Sequence, residues 1–265
     1  MTGVEHGLPA IAAMFTAARA KQRAAFLPYF PIGYPSYAES LDAITTLAEL
    51  GADGFEIGVP FSDPLADGPV IQAATQTALS NGITVRRCLD AVRELRARGV
   101  MQPMLLMSYL NPLLAYGPGA FVTDAKAAGA DGVIIPDLPV EEAAEWSAAC
   151  RRHNLAQIFF LAPTSDAARI EAVAAHASGF LYLVSVTGVT GARSDLPPDL
   201  ASFIARVRAR AGGLPLVLGF GISSAAHVRQ IEQLTDGFIV GSALVKAAQD
   251  GVAGVRAFAA ELRGA

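Results

Sequence analysis

Three carboxylates lie in a stretch of otherwise mostly apolar residues, glycines and prolines: residues 55–69 read FEIGVPFSDPLADGP and carry Glu56, Asp63 and Asp67. Burying an acid in a strand-like run costs free energy, so such a group needs a partner or a chemical task. A partly desolvated carboxyl group has a raised pKa and can donate as well as accept protons, while an ionised neighbour can stabilise positive charge. We therefore predict acid–base chemistry by Glu56 and charge stabilisation by Asp67.

A second group of chemically useful segments is rich in glycine. Residues 188–193 read GVTGAR, residues 219–224 read GFGISS and residues 240–243 read VGSA. Backbone N–H groups exposed in such segments bind phosphate, although each segment alone is more often a simple turn. Three of them after consecutive predicted strands favour a phosphate site. The third glycine of a dinucleotide-binding fingerprint is absent.

The positions of lysine and histidine narrow the chemistry further. Lys21, Lys126 and Lys246 all fall on predicted helices, which disfavours a Schiff-base aldolase with a lysine on a strand. The four histidines fall in the N-terminal segment or on predicted helices, so we expect neither a catalytic triad nor a metal site. After these exclusions, acid–base chemistry by carboxylates on a phosphorylated substrate is the remaining prediction.

An internal repeat indicates the architecture that positions these residues. The segment GADGFEIG at 51–58 recurs as GADGVIIP at 129–136, and a looser copy, TDGFIVGS, occupies 235–242. Each copy follows an amphipathic helical pattern and opens a short apolar run, which is typical of a helix-to-strand turn. The helix before the first copy begins with a capping box of Ser36 and Glu39 and ends at Gly51.

The alternation of apolar runs and helical patterns predicts eight strands. Their cores are expected at 26–30, 54–59, 103–108, 132–136, 157–161, 180–185, 215–219 and 237–240, with helices at 140–152, 166–177, 200–211, 225–234 and 243–262. This order favours a single (β/α)8 TIM barrel over residues 1–265, with a short N-terminal helical extension; a doubly wound open sheet is the alternative.

The barrel prediction places the candidate residues at one end of the molecule. Reactive groups of such barrels gather at the carboxyl ends of the strands and in the loops that follow. Strand alternation turns Phe55 and Ile57 towards the helices, so Glu56 and Gly58 are expected to point into the barrel. Asp67 follows in the loop after the same strand and can reach back over the barrel opening.

Composition excludes several other classes of protein. The chain of 265 residues has a net charge of −4 and a pI of about 5.6, with no basic cluster for nucleic acid. No export signal is recognisable, and prolines interrupt the uncharged window 100–123, which disfavours a membrane span. Cys88 and Cys150 lack the spacing of a zinc or redox site and are expected to be buried thiols in the cytoplasm.

Six motifs together identify a family. The segments FEIGVPFSDPLADGP, MSYLNPLLAYG, PDLPVEE, SVTGVTGAR, GFGIS and DGFIVGSALVK closely resemble, in this order, the tryptophan synthase α-subunit. The resemblance runs from residue 18 to the last predicted helix. It implies retro-aldol cleavage of indole-3-glycerol phosphate to indole and glyceraldehyde 3-phosphate. It also implies that Glu56 is the general acid–base and that Asp67 accepts the indole N–H.

The resemblance implies further site residues. A phosphate site is implied at Gly191, Gly221, Gly241 and Ser242. Thr190 is expected beside the catalytic loop, and Tyr182 and Tyr109 are expected near the indole pocket. The sequence also departs from the family pattern, with Pro31 and Tyr34 after the first strand and Arg193 in the loop after strand 6, so the resemblance implies no substrate contacts from the first of these loops.

The resemblance also implies a partner. A β-subunit that carries pyridoxal phosphate would receive indole in an α2β2 complex, and no cofactor is expected in this chain. Asp63, in a Ser-Asp-Pro turn, shapes its loop or faces this partner, and Asn111 and Pro112 are expected at the same interface. Two alternatives stay open at this point: a sugar-phosphate epimerase barrel, and a non-catalytic subunit that only activates its partner.

Overall fold

The computed structural model describes residues 6–184, 197–219 and 221–262. Eight parallel strands form a closed barrel in sequence order, because β1 pairs with β8 as well as with β2. The strands are β1 (Ala25–Pro31), β2 (Phe55–Gly58), β3 (Met104–Met107), β4 (Gly132–Ile134), β5 (Ala156–Leu161), β6 (Leu181–Val184), β7 (Leu216–Gly219) and β8 (Gly237–Val240). The predicted (β/α)8 barrel is confirmed, and the open-sheet alternative is wrong.

Helices surround the barrel and one precedes it. They are α1 (Leu8–Ala20), α2 (Tyr37–Glu49), α3 (Pro69–Ser80), α4 (Val85–Ala97), α5 (Leu110–Tyr116), α6 (Pro118–Ala128), α7 (Ala144–Arg152), α8 (Ala167–His176), α9 (Leu200–Arg208), α10 (Ala225–Ile231), α11 (Ser242–Ala247) and α12 (Gly251–Leu262). The predicted cap of α2 is present, because the Ser36 hydroxyl accepts a hydrogen bond from the Glu39 backbone N–H. Among the described residues, none of these helices combines the length and apolarity that crossing a membrane requires.

Three expectations about helices are corrected. The helix predicted at 140–152 is a 3-10 turn, Val140–Glu142, followed by α7. The helix predicted at 243–262 is divided into α11, a 3-10 turn and α12, because Gly251 has φ +69°, outside the helical region. Asn111 and Pro112 lie in the first turn of α5 rather than in a loop, a position where proline is tolerated.

The apolar core has two layers. Phe55 and Ile57 pack in the outer layer between the barrel and the helices. Glu56 is paired in register with Tyr29 of β1 and Leu105 of β3, which belong to the inner layer. The predicted inward direction of Glu56 is therefore confirmed. Cys88 and Cys150 are buried and free, as expected.

The aspartate of each repeat copy holds a neighbouring strand. The carboxylates of Asp53, Asp131 and Asp236 accept hydrogen bonds from the backbone N–H groups that begin or adjoin β1, β3 and β7; the donors are Phe26, Met104 and Leu216, at 2.8, 2.8 and 2.9 Å. Each of these aspartates precedes the next strand of the barrel. The repeat thus joins strands in pairs at the amino end of the barrel.

Asp131 is the most buried of the three, with no exposed side-chain area. It also accepts a hydrogen bond from the Gly7 N–H at 2.6 Å, at the start of α1. The Arg96 guanidinium lies 2.6 Å from its other oxygen and donates further bonds to the carbonyls of Gly129, Val100 and Gln102. A single buried ion pair therefore joins α1, β3, β4 and α4.

We expect Asp131→Ala to lower the free energy of unfolding by about 3–5 kcal/mol, because it leaves the buried Arg96 cation without its counter-charge. Equilibrium denaturation in guanidinium chloride measures the change. Asp90→Ala is the matched control: its partner Arg93 is 46% exposed, so the expected loss is below about 1 kcal/mol. Equal losses in the two variants would contradict the role given to Asp131.

Candidate active site

A cavity of about 600 Å³ opens at the carboxyl end of the barrel. Its lining brings together residues from all eight strands or the loops that follow them, among them Tyr29, Glu56, Asp67, Phe160, Tyr182, Gly221, Gly241 and Ser242. The volume suits a small molecule. The position agrees with the rule for such barrels, in which the strand ends carry the reactive groups.

Glu56 is almost fully buried in this cavity, with 2% of its area exposed. Burial, and then the nearby Asp67 carboxylate, raise the pKa of Glu56 to about 8; a hydrogen bond from Tyr182 acts in the opposite direction. The Tyr182 hydroxyl lies 3.5 Å from Glu56 Oε2, a long hydrogen bond. Glu56 is thus a carboxylic acid that is mostly protonated at neutral pH.

Asp67 has a different environment in the same cavity. Burial raises its pKa to about 6, and a hydrogen bond from Tyr109 partly offsets this effect. The Tyr109 hydroxyl donates to Asp67 Oδ2 at 3.1 Å and accepts from the Ala66 N–H at 2.9 Å, so it fixes the loop that carries Asp67. At neutral pH Asp67 is mostly ionised, unlike Glu56.

Of the two tyrosines predicted near the indole pocket, only Tyr182 lines the cavity. Tyr182 lines the cavity and packs against Phe160, with ring centroids 4.5 Å apart. A Cβ atom on Gly219 of β7 would come within 2.3 Å of the Tyr182 hydroxyl, so the neighbouring strand must carry glycine there. Tyr109 contacts Asp67 but is not among the described residues that line the cavity.

Another part of the described lining contains residues from two of the three predicted glycine segments, 219–224 and 240–243. Gly221 (φ +84°), Gly241 and Ser242 all face the cavity. Lys246, one helical turn after Ser242 in α11, is the basic residue among the described lining residues. Thr190, Gly191 and Arg193 lie outside the described residues.

The interface residues expected from the resemblance are not among the described residues that line the cavity. Asp63 is exposed, and its carboxylate accepts a 2.5 Å hydrogen bond from the Ser62 hydroxyl. Its neighbour Leu65 has 89% of its area exposed, and Leu114 in α5 has 49% exposed. Single exposed leucines are ordinary, whereas exposed apolar side chains that form one patch favour a protein contact. Asn111, also in α5, is exposed.

Two lining residues with ionisable side chains, Tyr29 and Lys246, were not predicted as site residues. Tyr29 lies on β1 and pairs in register with Glu56. Strand alternation that turns Glu56 into the barrel therefore turns Tyr29 inwards as well. Lys246 was assigned only to a helix, but its spacing of four from Ser242 would have placed both on one helical face. No group of three or more histidine, cysteine, aspartate or glutamate side chains within residues 6–184, 197–219 and 221–262 is arranged to hold a metal.

Comparison with known proteins identifies the family. The family model for the tryptophan synthase alpha chain matches residues 15–263. The chain belongs to this family. The alpha chain of Chloroflexus aggregans is 50% identical over 253 residues, 94% of each chain, and that of a Roseiflexus species is 54% identical over 235 residues, covering 89% of this chain and 90% of the relative.

Solved structures agree with this assignment. A structure of Mycobacterium tuberculosis tryptophan synthase superimposes with a TM-score of 0.90 at 42% identity, covering 98% of both chains. The alpha subunit from Legionella pneumophila strain Paris gives a TM-score of 0.89 at 34% identity, covering 96% of this chain and 97% of that chain. The resemblance to the tryptophan synthase α-subunit, a lyase of tryptophan biosynthesis, is confirmed, and the epimerase alternative is set aside.

The raised pKa of Glu56 in this alpha chain has a consequence for stability. The folded-state pKa of about 8 exceeds the ordinary value of 4.5. As the pH rises between these values the unfolded chain releases a proton that the folded chain retains, so stability falls. We expect Glu56→Gln to melt close to the native protein at pH 4.5 and, at pH 8, to be more stable by on the order of 1–3 kcal/mol.

Thermal denaturation followed by circular dichroism at both pH values measures this difference. Glu145→Gln, on an exposed part of α7, is the control and is expected to leave the pH dependence unchanged. A Glu56→Gln protein that is less stable than the native protein at pH 8 would contradict the burial of a proton-binding Glu56.

Proposed function

We propose that Glu56 and Asp67 catalyse the reaction of the tryptophan synthase alpha chain, the cleavage of indole-3-glycerol phosphate to indole and glyceraldehyde 3-phosphate. The observation that carries this proposal is the pair of carboxylates, with pKa values of about 8 and about 6, facing one cavity. Two acids whose pKa values lie apart can divide proton transfer from charge stabilisation.

Each carboxylate then has a defined task. Protonated Glu56 donates its proton to indole C3, and the Glu56 carboxylate subsequently accepts the proton of the hydroxyl group on the adjacent side-chain carbon. The carbon–carbon bond breaks as that hydroxyl becomes the aldehyde, so the proton count is balanced. The positive charge that forms on the indole ring while C3 is protonated is stabilised by ionised Asp67, which accepts the ring N–H.

The phosphate group of the substrate is assigned to the glycine part of the lining. Gly221, Gly241 and Ser242 offer backbone N–H groups and a hydroxyl, and Lys246 adds positive charge on the same face as Ser242. Thr190 and Gly191, outside the described residues, keep the roles that the resemblance implies. Tyr182 is proposed to line the indole pocket, and Tyr109 is proposed to orient Asp67.

We expect Glu56→Gln to abolish indole release from indole-3-glycerol phosphate, because glutamine cannot carry the proton. Asp67→Asn should reduce the rate by about a hundredfold or more, since a neutral amide cannot stabilise the ring cation. Release of indole by the purified chain measures both. Binding of glycerol 3-phosphate should survive in both variants, and Glu145→Gln should be fully active. Turnover by Glu56→Gln at a rate near that of the native protein would overturn the mechanism.

We also propose that the chain works with a tryptophan synthase β-subunit in an α2β2 complex. The β-subunit would hold pyridoxal phosphate and supply the chemistry that joins indole to serine; this chain supplies the indole. The solved structure of M. tuberculosis tryptophan synthase supports a partner for this family. The exposed Leu65 and Leu114, with Asp63, Asn111 and Pro112, form the proposed contact. Free buried cysteines favour a cytoplasmic location.

We expect Leu114→Asp to weaken binding to a β-subunit by about tenfold or more, because a charge replaces apolar contact area. Titration calorimetry with a purified β-subunit measures the dissociation constant. Met101→Asp is the matched control, since Met101 is 43% exposed but lies three residues before the start of β3, at the opposite end of the barrel. If Leu114→Asp binds the β-subunit as tightly as the native protein does, Leu114 is not part of the interface and the proposed contact is wrong.

A further inference from the structure

Tyr29 lines the same cavity as the two proposed catalytic carboxylates, and the proposed mechanism does not use it. It lies on β1, is 7% exposed and lines the cavity with Glu56 and Asp67. In the register of β1 and β2 its Cα atom is the partner of the Cα atom of Glu56. Its side chain is therefore next to the strand that carries the proton donor.

The ring of Tyr29 fills the space that a side chain at position 58 would need. A Cβ atom on Gly58 would lie 2.5 Å from the Tyr29 hydroxyl oxygen and 2.8 Å from Cζ. Gly58 has no left-handed backbone conformation, so space rather than backbone geometry requires glycine there. On the other side, a Cβ atom on Gly241 would lie 3.2 Å from Tyr29 Cδ1. The ring thus lies between β2 and β8.

The hydroxyl group of Tyr29 connects to a different element. Thr75 of α3 is 4% exposed, and its hydroxyl faces the Tyr29 hydroxyl from the donor side. Helix α3 begins at Pro69, two residues after Asp67. Burial, followed by the charges of Asp67 and Glu56, raises the pKa of Tyr29 well above its ordinary value, so the phenol keeps its proton. In its contact with Thr75 the phenol oxygen is on the acceptor side.

We propose that Tyr29 is a positioning residue that sets the separation of Glu56 and Asp67. Its ring packs on Gly58 and holds the strand of Glu56, while its hydroxyl, through Thr75, holds the helix that follows Asp67. The proposal rests on the proposed function, in which one substrate must meet both carboxylates at once. Reactions of this kind are sensitive to displacements of about 1 Å.

The first test removes the hydroxyl and keeps the ring. Tyr29→Phe is expected to lower kcat for indole release by about tenfold, the size of one lost hydrogen bond, with KM changed less than about twofold. Thr75→Val should give the same loss, and the double variant no further loss, because both changes break one link. Tyr37→Phe, which removes a tyrosine hydroxyl bonded to Glu94 outside the cavity lining, is the matched control and should be fully active.

The second test concerns the fit between Tyr29 and Gly58. Gly58→Ala should lower kcat by roughly a hundredfold, because the added methyl group displaces the ring. Adding Tyr29→Phe removes the closest clashing atom, so the double variant should be more active than Gly58→Ala alone. Circular dichroism and melting temperature identify any variant that fails to fold. If the kcat losses of the two single variants simply multiply in the double variant, the proposed fit between Tyr29 and Gly58 is overturned.

A third measurement does not depend on turnover. The titration of the Glu56 carboxyl carbon, followed by ¹³C NMR, should move in Tyr29→Phe and stay unchanged in Tyr37→Phe; Asp67 and Tyr182 face Glu56 in both. If the native protein releases no indole, the proposed function fails while this measurement still tests the positioning role. If the native protein releases indole and Tyr29→Phe matches it in kcat and in titration, only the positioning role fails.

Discussion

The barrel depends on a hydrogen bond that recurs at its amino end, where the aspartate before one strand accepts from the backbone N–H at the start of the preceding strand. Asp53, Asp131 and Asp236 make this contact before β2, β4 and β8. It fixes the register of neighbouring strands, and a shift by one residue would turn every side chain to the other face. Glu56 would then face the helices. The active end of the molecule is thus held by contacts at the opposite end.

The environment that suits the two carboxylates to their proposed roles lowers the stability of the fold. Glu56 and Asp67 are both buried, and burial raises both pKa values, so the folded chain binds protons that the unfolded chain releases. The surroundings compensate through hydrogen bonds rather than counter-charges, with Tyr182 on Glu56 and Tyr109 on Asp67. A cationic partner would lower these pKa values and remove the acid that the proposed mechanism needs. The neutral phenols hold the two carboxylates in place and lower their pKa values only in part, so burial keeps Glu56 protonated.

Much of the fold could be predicted because its signals are local. Alternation of apolar runs and helices located eight strands, and the capping box at Ser36 and the repeated Gly-Ala-Asp-Gly segments located their junctions. The helix predictions were wrong where the backbone conformation of one residue, rather than the pattern of residue types, decides the structure. Gly251 breaks an apolar helical run because of its φ of +69°, and Asn111 lies in a helix despite the proline that follows it.

The sequence by itself determined the barrel, the inward direction of Glu56 and the family, because residue types and their order carry this information. Tertiary structure alone decided the environments of the carboxylates, since pKa values depend on burial and on groups distant in sequence, such as Tyr182 near Glu56. It also decided that Tyr29 and Lys246 belong to the site. Their side chains reach the cavity only because β1 closes the barrel against β8, a contact between the two ends of the chain.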